Sequence, residues 1–510
     1  MNKKQHTIFL KLSFLLVAFC FSIYSFAQKT DKIELLKANS LEFDQTLGSG
    51  AKRLIGDVAF KHNDAIMYCD SAYLFAETNS LKAYGHIHIN QNDSTHIYGD
   101  ILNYYGEKKL ANILGKVTML DKEMTLTSSQ LDYDLNKNLA YYSTGGKIIS
   151  SKNQNTLTSV QGYYYTDSKL MFYKDRVVLI NPQMEIKTDT LKFNTIKDIA
   201  FFEGPTQIIG KKDFIYCENG WYDTKKNIAQ FKKNAYLLSD NKKLSGDSLY
   251  YDRNSGFGKA IKNVQITDTI ENITINGDYA SHNEKTNTSF VTGNLLMTLS
   301  LEKDSLFLHA DTLKMITDSI RKDKNIFAYH KVKFYKSDLS GLCDSLAYNL
   351  ADSMIKMFKK PILWSENKQI TAESISVKTF DGKIEKMIVK NNAFIISQED
   401  SLKFNQIFGN NMIGFFDKNK LNQVNASGNC QTFYYGKEND GSYLGLNKTE
   451  SSELIIYLKE NSIDKITYIN KPKAILTPIE EVIYEDSFLK GFKWLNHLKP
   501  SQKNDIFNWK

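Results

Sequence analysis

The sequence predicts an all-β chain: bent antiparallel strands stacked into two facing sheets with an apolar interior. Three observations predict it. A motif of about 31 residues recurs thirteen times, apolar residues flank it at fixed offsets, and 29 Tyr and 30 Phe stand against 6 Pro in 510 residues. Aromatic-rich, proline-poor composition favours strand over linker. A fixed period of this length marks stacked supersecondary units.

The motif is clearest in YCDSAYL at 68, YGDILNY at 98, SGDSLYY at 245 and LCDSLAY at 342. With the acidic residue as position zero, it falls at Asn39, Asp70, Asp100, Ser129, Gln161, Asp189, Glu218, Asp247, Asp278, Asp311, Asp344, Glu373 and Asn410. Position +2 is apolar in twelve of the thirteen, Gly220 being the exception. Position −3 is apolar in eleven. Each flank alternates as a half-buried strand does, yet −3 and +2 differ by an odd number. A straight strand would put them on opposite faces.

The alternation therefore changes phase at the motif. Position −1 is small in twelve of thirteen, Val160 departing. A small residue at a phase slip fits a bulge or corner where the strand bends from one wall to the other. The neighbouring acid then accepts hydrogen bonds from N–H groups that lose their ladder partners. This row of carboxylates is structural rather than catalytic. A second corner follows about 15 residues later and is rich in Gly or Asn (Gly85, Gly115, Gly145, Gly204, Asn234, Asn263, Gly293). Each repeat is two bent strands joined by hairpins.

The N-terminus carries an address. Lys3 and Lys4 precede the mostly apolar run Ile8–Phe26, and Ser25-Phe26-Ala27 supplies small residues before Gln28. Residues 1–27 are expected to be a cleavable signal peptide; a retained membrane anchor is the competing reading. The four later cysteines, Cys69, Cys217, Cys343 and Cys430, lie too far apart for a C-x-x-C site, and three fall at position −1. They are expected to be small buried residues. A net charge of +8 without a block of like charge does not favour nucleic acid.

The recurring Gly246-Asp247-Ser248-Leu249-Tyr250-Tyr251-Asp252, and Leu114-Gly115-Lys116-Val117 after an earlier copy, resemble the OstA/LptA-like family. The likeness is best over 28–300 and fades toward 440. Length and tail resemble the long OstA-like proteins of Bacteroidetes-type bacteria. The resemblance implies an elongated, folded-over β-jellyroll over 28–440, with a degenerate repeat and a short cap or helix over 441–510. It implies a periplasmic, non-enzymatic lipopolysaccharide bridge whose trough shields lipid A acyl chains, without cofactor. The trough-lining residues would be Leu102, Leu131, Tyr163, Leu191, Leu249, Leu313, Leu346 and Ile375. Closure of these side chains into a simple packed core stays open as an alternative. Partners would be lipopolysaccharide and the jellyroll domains of an inner-membrane exporter and an outer-membrane receptor. These would pair with edge strands near Ile33–Phe43, Leu454–Tyr457 and Ile466–Ile469.

Catalytic motifs are not found. The chain has no H-E-x-x-H, G-x-S-x-G or C-x-x-C. Gly204 to Lys211 has the wrong spacing for a phosphate loop. His86 and His88, two apart on a strand with His96 nearby, read as surface residues rather than a metal site. Ile479–Leu498 is expected as a short amphipathic helix, with Trp494 and Trp509 capping the last strands or touching a membrane surface. Two other functions stay open: an extracellular β-solenoid enzyme acting on polysaccharide, and a structural or adhesive repeat protein.

Overall fold

The computed structural model describes residues 32–509 apart from 44–50, 92, 123, 151–154, 319, 321–322, 381–382, 418–419, 439 and 460–461. The expected signal peptide lies outside the described residues. Thirty-six described strands run from Glu34 to Pro478. The chain divides at Pro182/Gln183 into two compact units, within each of which the strand pairings are antiparallel. The fold is the β-jellyroll expected.

The phase slip is real, and its cause is visible in the register. In the strand Ala65–Phe75, Ala65, Met67 and Cys69 are buried, Asp70 is exposed, and Ala72 is buried. On one side, the ladder skips from Ile55↔Ser71 to Val58↔Cys69, leaving Gly56 and Asp57 opposite Asp70 alone. On the other side, Tyr84↔Ser71 is followed by His88↔Tyr68, so Gly85 and His86 again face the single Asp70. An extra residue on one strand bends it and shifts the inward face by one position.

At most corners both bulged residues are left-handed; at Gly115, Gly145 and Gly204 only the glycine is. The pairs Gly85/His86 (φ +74°, +41°), Lys233/Asn234 (+56°, +54°), Lys262/Asn263 (+58°, +48°) and Lys359/Lys360 (+61°, +55°) illustrate the series. Gly and Asn tolerate this region, which explains their enrichment at the second corner. Lysine does not, at roughly 1–2 kcal/mol per residue. The Gly/Asn signal consequently misses corners such as Lys359/Lys360.

The row at position zero ties these corners together. Its backbone N–H donates to the first left-handed residue: Asn39 to Gly56 O (2.9 Å), Asp278 to Gly293 O (2.9 Å), Asp311 to His330 O (3.0 Å) and Glu373 to Asn391 O (3.0 Å). The carboxylates take mostly side-chain donors across the strand rather than the expected backbone ones. Asn234 Nδ2 donates to Glu218 (2.8 Å), Asn263 Nδ2 to Asp247 (3.0 Å) and Asn294 Nδ2 to Asp278 (2.7 Å). Backbone donation is seen from Lys116 N to Asp100 (3.1 Å).

Two placements of the motif are corrected. Val160 N donates to Asp175 O (3.1 Å), the bond that defines position zero, so the motif there begins one residue before Gln161. Val160 had looked like an exception at −1; the true −1 residue is the small, buried Ser159. A fourteenth motif sits at Ser452, where Gly428 and Asn429 are skipped between Ser427↔Glu453 and Cys430↔Ser451. Buried Leu454 and Ile456 follow it at +2 and +4.

Beyond Pro478 the chain forms short 3-10 turns, Ile479–Glu481, Tyr484–Ser487, Asn496–Leu498 and Lys503–Phe507, rather than the amphipathic helix expected over 479–498. A helix would satisfy its own backbone. This tail instead lends its backbone to side chains of the sheet. Gln406 and Gln369, both fully buried, receive it, as do Lys448 (Nζ to Asp486 O, 2.7 Å) and Lys333 (Nζ to Asn508 O, 2.6 Å). Phe394, Ile396 and Phe404 pack with Leu489, and Phe488, Phe492 and Trp494 surround them.

Candidate functional site

The candidate site is the inward face. Residues after position zero form one wall (wall A) and residues before it form the other (wall B). Six of the eight sequence-predicted lining residues are buried: Leu102, Leu131, Leu191, Leu249, Leu313 and Ile375. Leu346 is half-buried. Tyr163 is displaced by the one-residue register change. It is half-buried on the face opposite Tyr164, stacked on Tyr141 with centroids 6.1 Å apart, and donates to Gln161 (3.1 Å). Gly162 and Tyr164 take the buried positions of that strand.

In the first unit the walls meet. Met67, Ile97, Met119 and Leu126 on wall B are buried. A cavity of about 10 Å³ lined by Met119, Leu126, Tyr142, Tyr164 and Tyr173 lies between them, room for one water at most. Burial pushes the Tyr142 phenol up to about 12, although its hydrogen bond with Ser159 (2.7 Å) opposes the shift. The position +4 tyrosines reach across the mouth to wall B hairpins. Tyr104 hydrogen-bonds His62, their rings 5.5 Å apart and both nearly inaccessible. Tyr133 lies against Gln91 and Thr166, and Tyr164 donates to Asp121 (3.2 Å) beside Lys169.

Between residues 213 and 300 of the second unit the same rows are less covered. Ile215, Leu237, Leu244, Ile266, Ile275 and Met297, all facing inward on wall B, are half-buried. Near the corner the walls stay closed, with Phe231, Leu249, Ala260 and Val291 buried. The +4 residues here bond within their own wall: Tyr222 to Asn227 (3.0 Å), Tyr251 to Glu284 (2.9 Å) and His282 to Ser289 (2.9 Å). The sequence carries no signal for the difference between the partners of these +4 residues.

The remaining candidates do no chemistry visible in their geometry. His86 occupies a bulge and bonds Asp70 (2.7 Å), so it does not share a site with His88. His88 Nε2 and His96 Nδ1 are 3.2 Å apart, and His88 stacks on Tyr98 at 4.6 Å. Burial and the neighbouring His96 lower the His88 pKa. Among the described residues no cluster of three or more His, Cys, Asp or Glu could hold a metal ion. Gly204–Gly210 lies within the strand Ile199–Gly210 and forms no loop. The four described cysteines are free and buried.

A protein of bent-strand repeats enclosing an apolar interior is the class these features define. Residues 30–189 match a family described as OstA-like protein. Residues 274–383 match a family described as LptA/(LptD N-terminal domain) LPS transport protein. The chain belongs to the OstA/LptA-like family. Among solved structures it is similar to LptH from Pseudomonas aeruginosa, described as the LptA-homologous periplasmic component of a lipopolysaccharide transport device. That match has 18% identity and a TM-score of 0.19, and covers 20% of this chain and 76% of LptH. No curated protein matches.

Proposed function

We propose that this protein is a periplasmic carrier in lipopolysaccharide transport, holding lipid A acyl chains against its inward face while the sugars stay in water. The observation that carries the reading is the apolar row at +2, which continues through successive bends while the charged row at position zero faces out. Exposing acyl chains to water costs about 0.8 kcal/mol per CH₂, so a lipid with several long chains needs a covered route. Membership in a family that includes lipopolysaccharide transport proteins supports the same reading.

Docking to jellyroll domains of an exporter and a receptor would use the terminal strands. Ser40–Phe43, exposed throughout, pairs with Ala51–His62, and Lys473–Pro478 pairs with Tyr443–Lys459. Such strands offer free backbone groups to a partner. Depleting the protein in cells and measuring lipopolysaccharide at the surface tests the function. Accumulation inside the envelope is expected; normal surface levels would reject it. Photo-crosslinkers at Leu102, Leu249 and Leu313 should capture lipopolysaccharide, and equal capture by outward neighbours would reject the inward route. Proline at Leu41 should weaken recovery of the docking partner.

A further inference from the structure

We propose that acyl chains enter and leave sideways through the open mouth between residues 213 and 300, while cross-mouth hydrogen bonds latch the first unit shut. The inference rests on the carrier function proposed above and locates its entry site.

The contrast lies in one repeat position. At +4, Tyr104 and Tyr164 reach the opposite wall through His62 and Asp121, and Tyr133 sits between Gln91 of that wall and Thr166 of its own. Tyr222 and Tyr251 turn back to Asn227 and Glu284 of their own wall. Accessibility follows the bonding. Ile97 and Met119 are buried behind the latched mouth, whereas their counterparts Leu244 and Ile266 are half-buried. A latch of this kind is made of side chains only, so it can open without breaking the strand ladders.

The occupant is chosen by width. Facing sheets pack about 10 Å apart, a gap that takes side chains or extended hydrocarbon. A helix, at about 10–12 Å across with its side chains, would force the walls apart. The hairpins beside this mouth carry Lys211, Lys212, Lys225 and Arg253 together with Asp213, Asp223, Asp252 and Glu284, so their charge is balanced. One side chain does cross here: Arg253 Nη1 donates to Gln183 Oε1 (2.8 Å), without covering Leu244 or Ile266. Apolar walls at this spacing suit a lipid with several acyl chains.

The test uses the full-length protein, purified lipid A and photo-crosslinking residues. They are placed singly at Leu244 and Ile266 in the open stretch and at Ile97 and Met119 in the latched one. Capture at the open pair should exceed capture at the latched pair by about tenfold. The combined Tyr104→Phe, Tyr133→Phe and Tyr164→Phe variant keeps the rings but removes the hydroxyls, and should raise capture at Ile97 and Met119 several-fold. Equal capture at all four positions in the unaltered protein would overturn the latch and leave the carrier function standing. So would a latched pair unaffected by the triple variant. Capture at none of the four would reject the carrier reading itself.

Discussion

Gln369 and Leu495 are bonded as if two strands had met: Leu495 N donates to Gln369 Oε1 (2.8 Å), and Gln369 Nε2 donates to Lys493 O (2.8 Å). One side-chain amide thus serves both polar groups of a passing backbone. Gln406 repeats the device on Leu489 N and Ser487 O, both at 2.8 Å. Replacing Gln369 by Leu preserves bulk but leaves two backbone groups unpaired, at about 1–3 kcal/mol each. The tail beyond Pro478 should detach while the strands persist. Limited proteolysis would reveal early cleavage within 479–509, and unchanged protection there would contradict the strap.

The corner at Asn263 makes a sharper distinction between glycine and alanine. Its φ is +48° and its side chain donates to Asp247 (3.0 Å). Asn263→Gly loses only the exposed hydrogen bond and should cost well under about 1 kcal/mol. Asn263→Ala also meets the left-handed penalty of about 1–2 kcal/mol. Denaturant midpoints should therefore rank native, then Gly, then Ala. Alanine and glycine behaving alike would refute the role assigned to this conformation.

Cys69, Cys217, Cys343 and Cys430 should be inert in the folded protein. Burial pushes their thiols up, to about 12 for Cys69 and Cys343 and about 11 for Cys217 and Cys430. The thiolate is the reactive form, so a thiol reagent at pH 8 should label these four only after unfolding. Rapid labelling of any of them in the native protein would indicate that its wall opens.

How much could be read beforehand follows from what each residue advertises. Asp247 beside Gly246 and before Leu249 announces a bend, because carboxylate, small residue and apolar residue each have one place in it. Val160 and Ser452 fill the same slot with no acid, so the first was set one residue off and the second was missed. Lys359 and Lys360 hide a corner because their conformation is set by the two ladders around them rather than by their own preference. Gln369 and Gln406 carry no signal of their own in the sequence; only the returning tail makes them central. The inward row was legible from alternation alone. Whether its mouth is closed depends on hydrogen bonds between residues some forty positions apart, such as His62 and Tyr104, which no local pattern encodes.

Acid should loosen one corner before its neighbours' hydrogen bonds fail for other reasons. Asp344 accepts from Ser345 Oγ (2.7 Å) and faces Lys359 Nζ (2.9 Å) and His330 Nδ1 (3.4 Å). The Ser345 hydroxyl first, then Lys359, lowers its pKa from 3.8 to about 2. A carboxyl whose folded pKa is depressed adds stability that is fully present above its unfolded value. That stability is lost as pH falls from about 4 toward about 2. The loss falls where it matters, because His330, Lys331, Lys359 and Lys360 around this carboxylate are all left-handed and three of them are lysines. Once Asp344 is protonated, the strain and mutual repulsion of those residues are no longer offset. Amide exchange at 330–332 and 358–361 should accelerate through that pH window. In Asp344→Asn the same amides should exchange faster at neutral pH and show a flatter response to acid, since the titrating group is gone. An acid response of the same size in the variant would mean that other carboxylates, such as Asp311 opposite Lys331 (3.6 Å), control this corner instead.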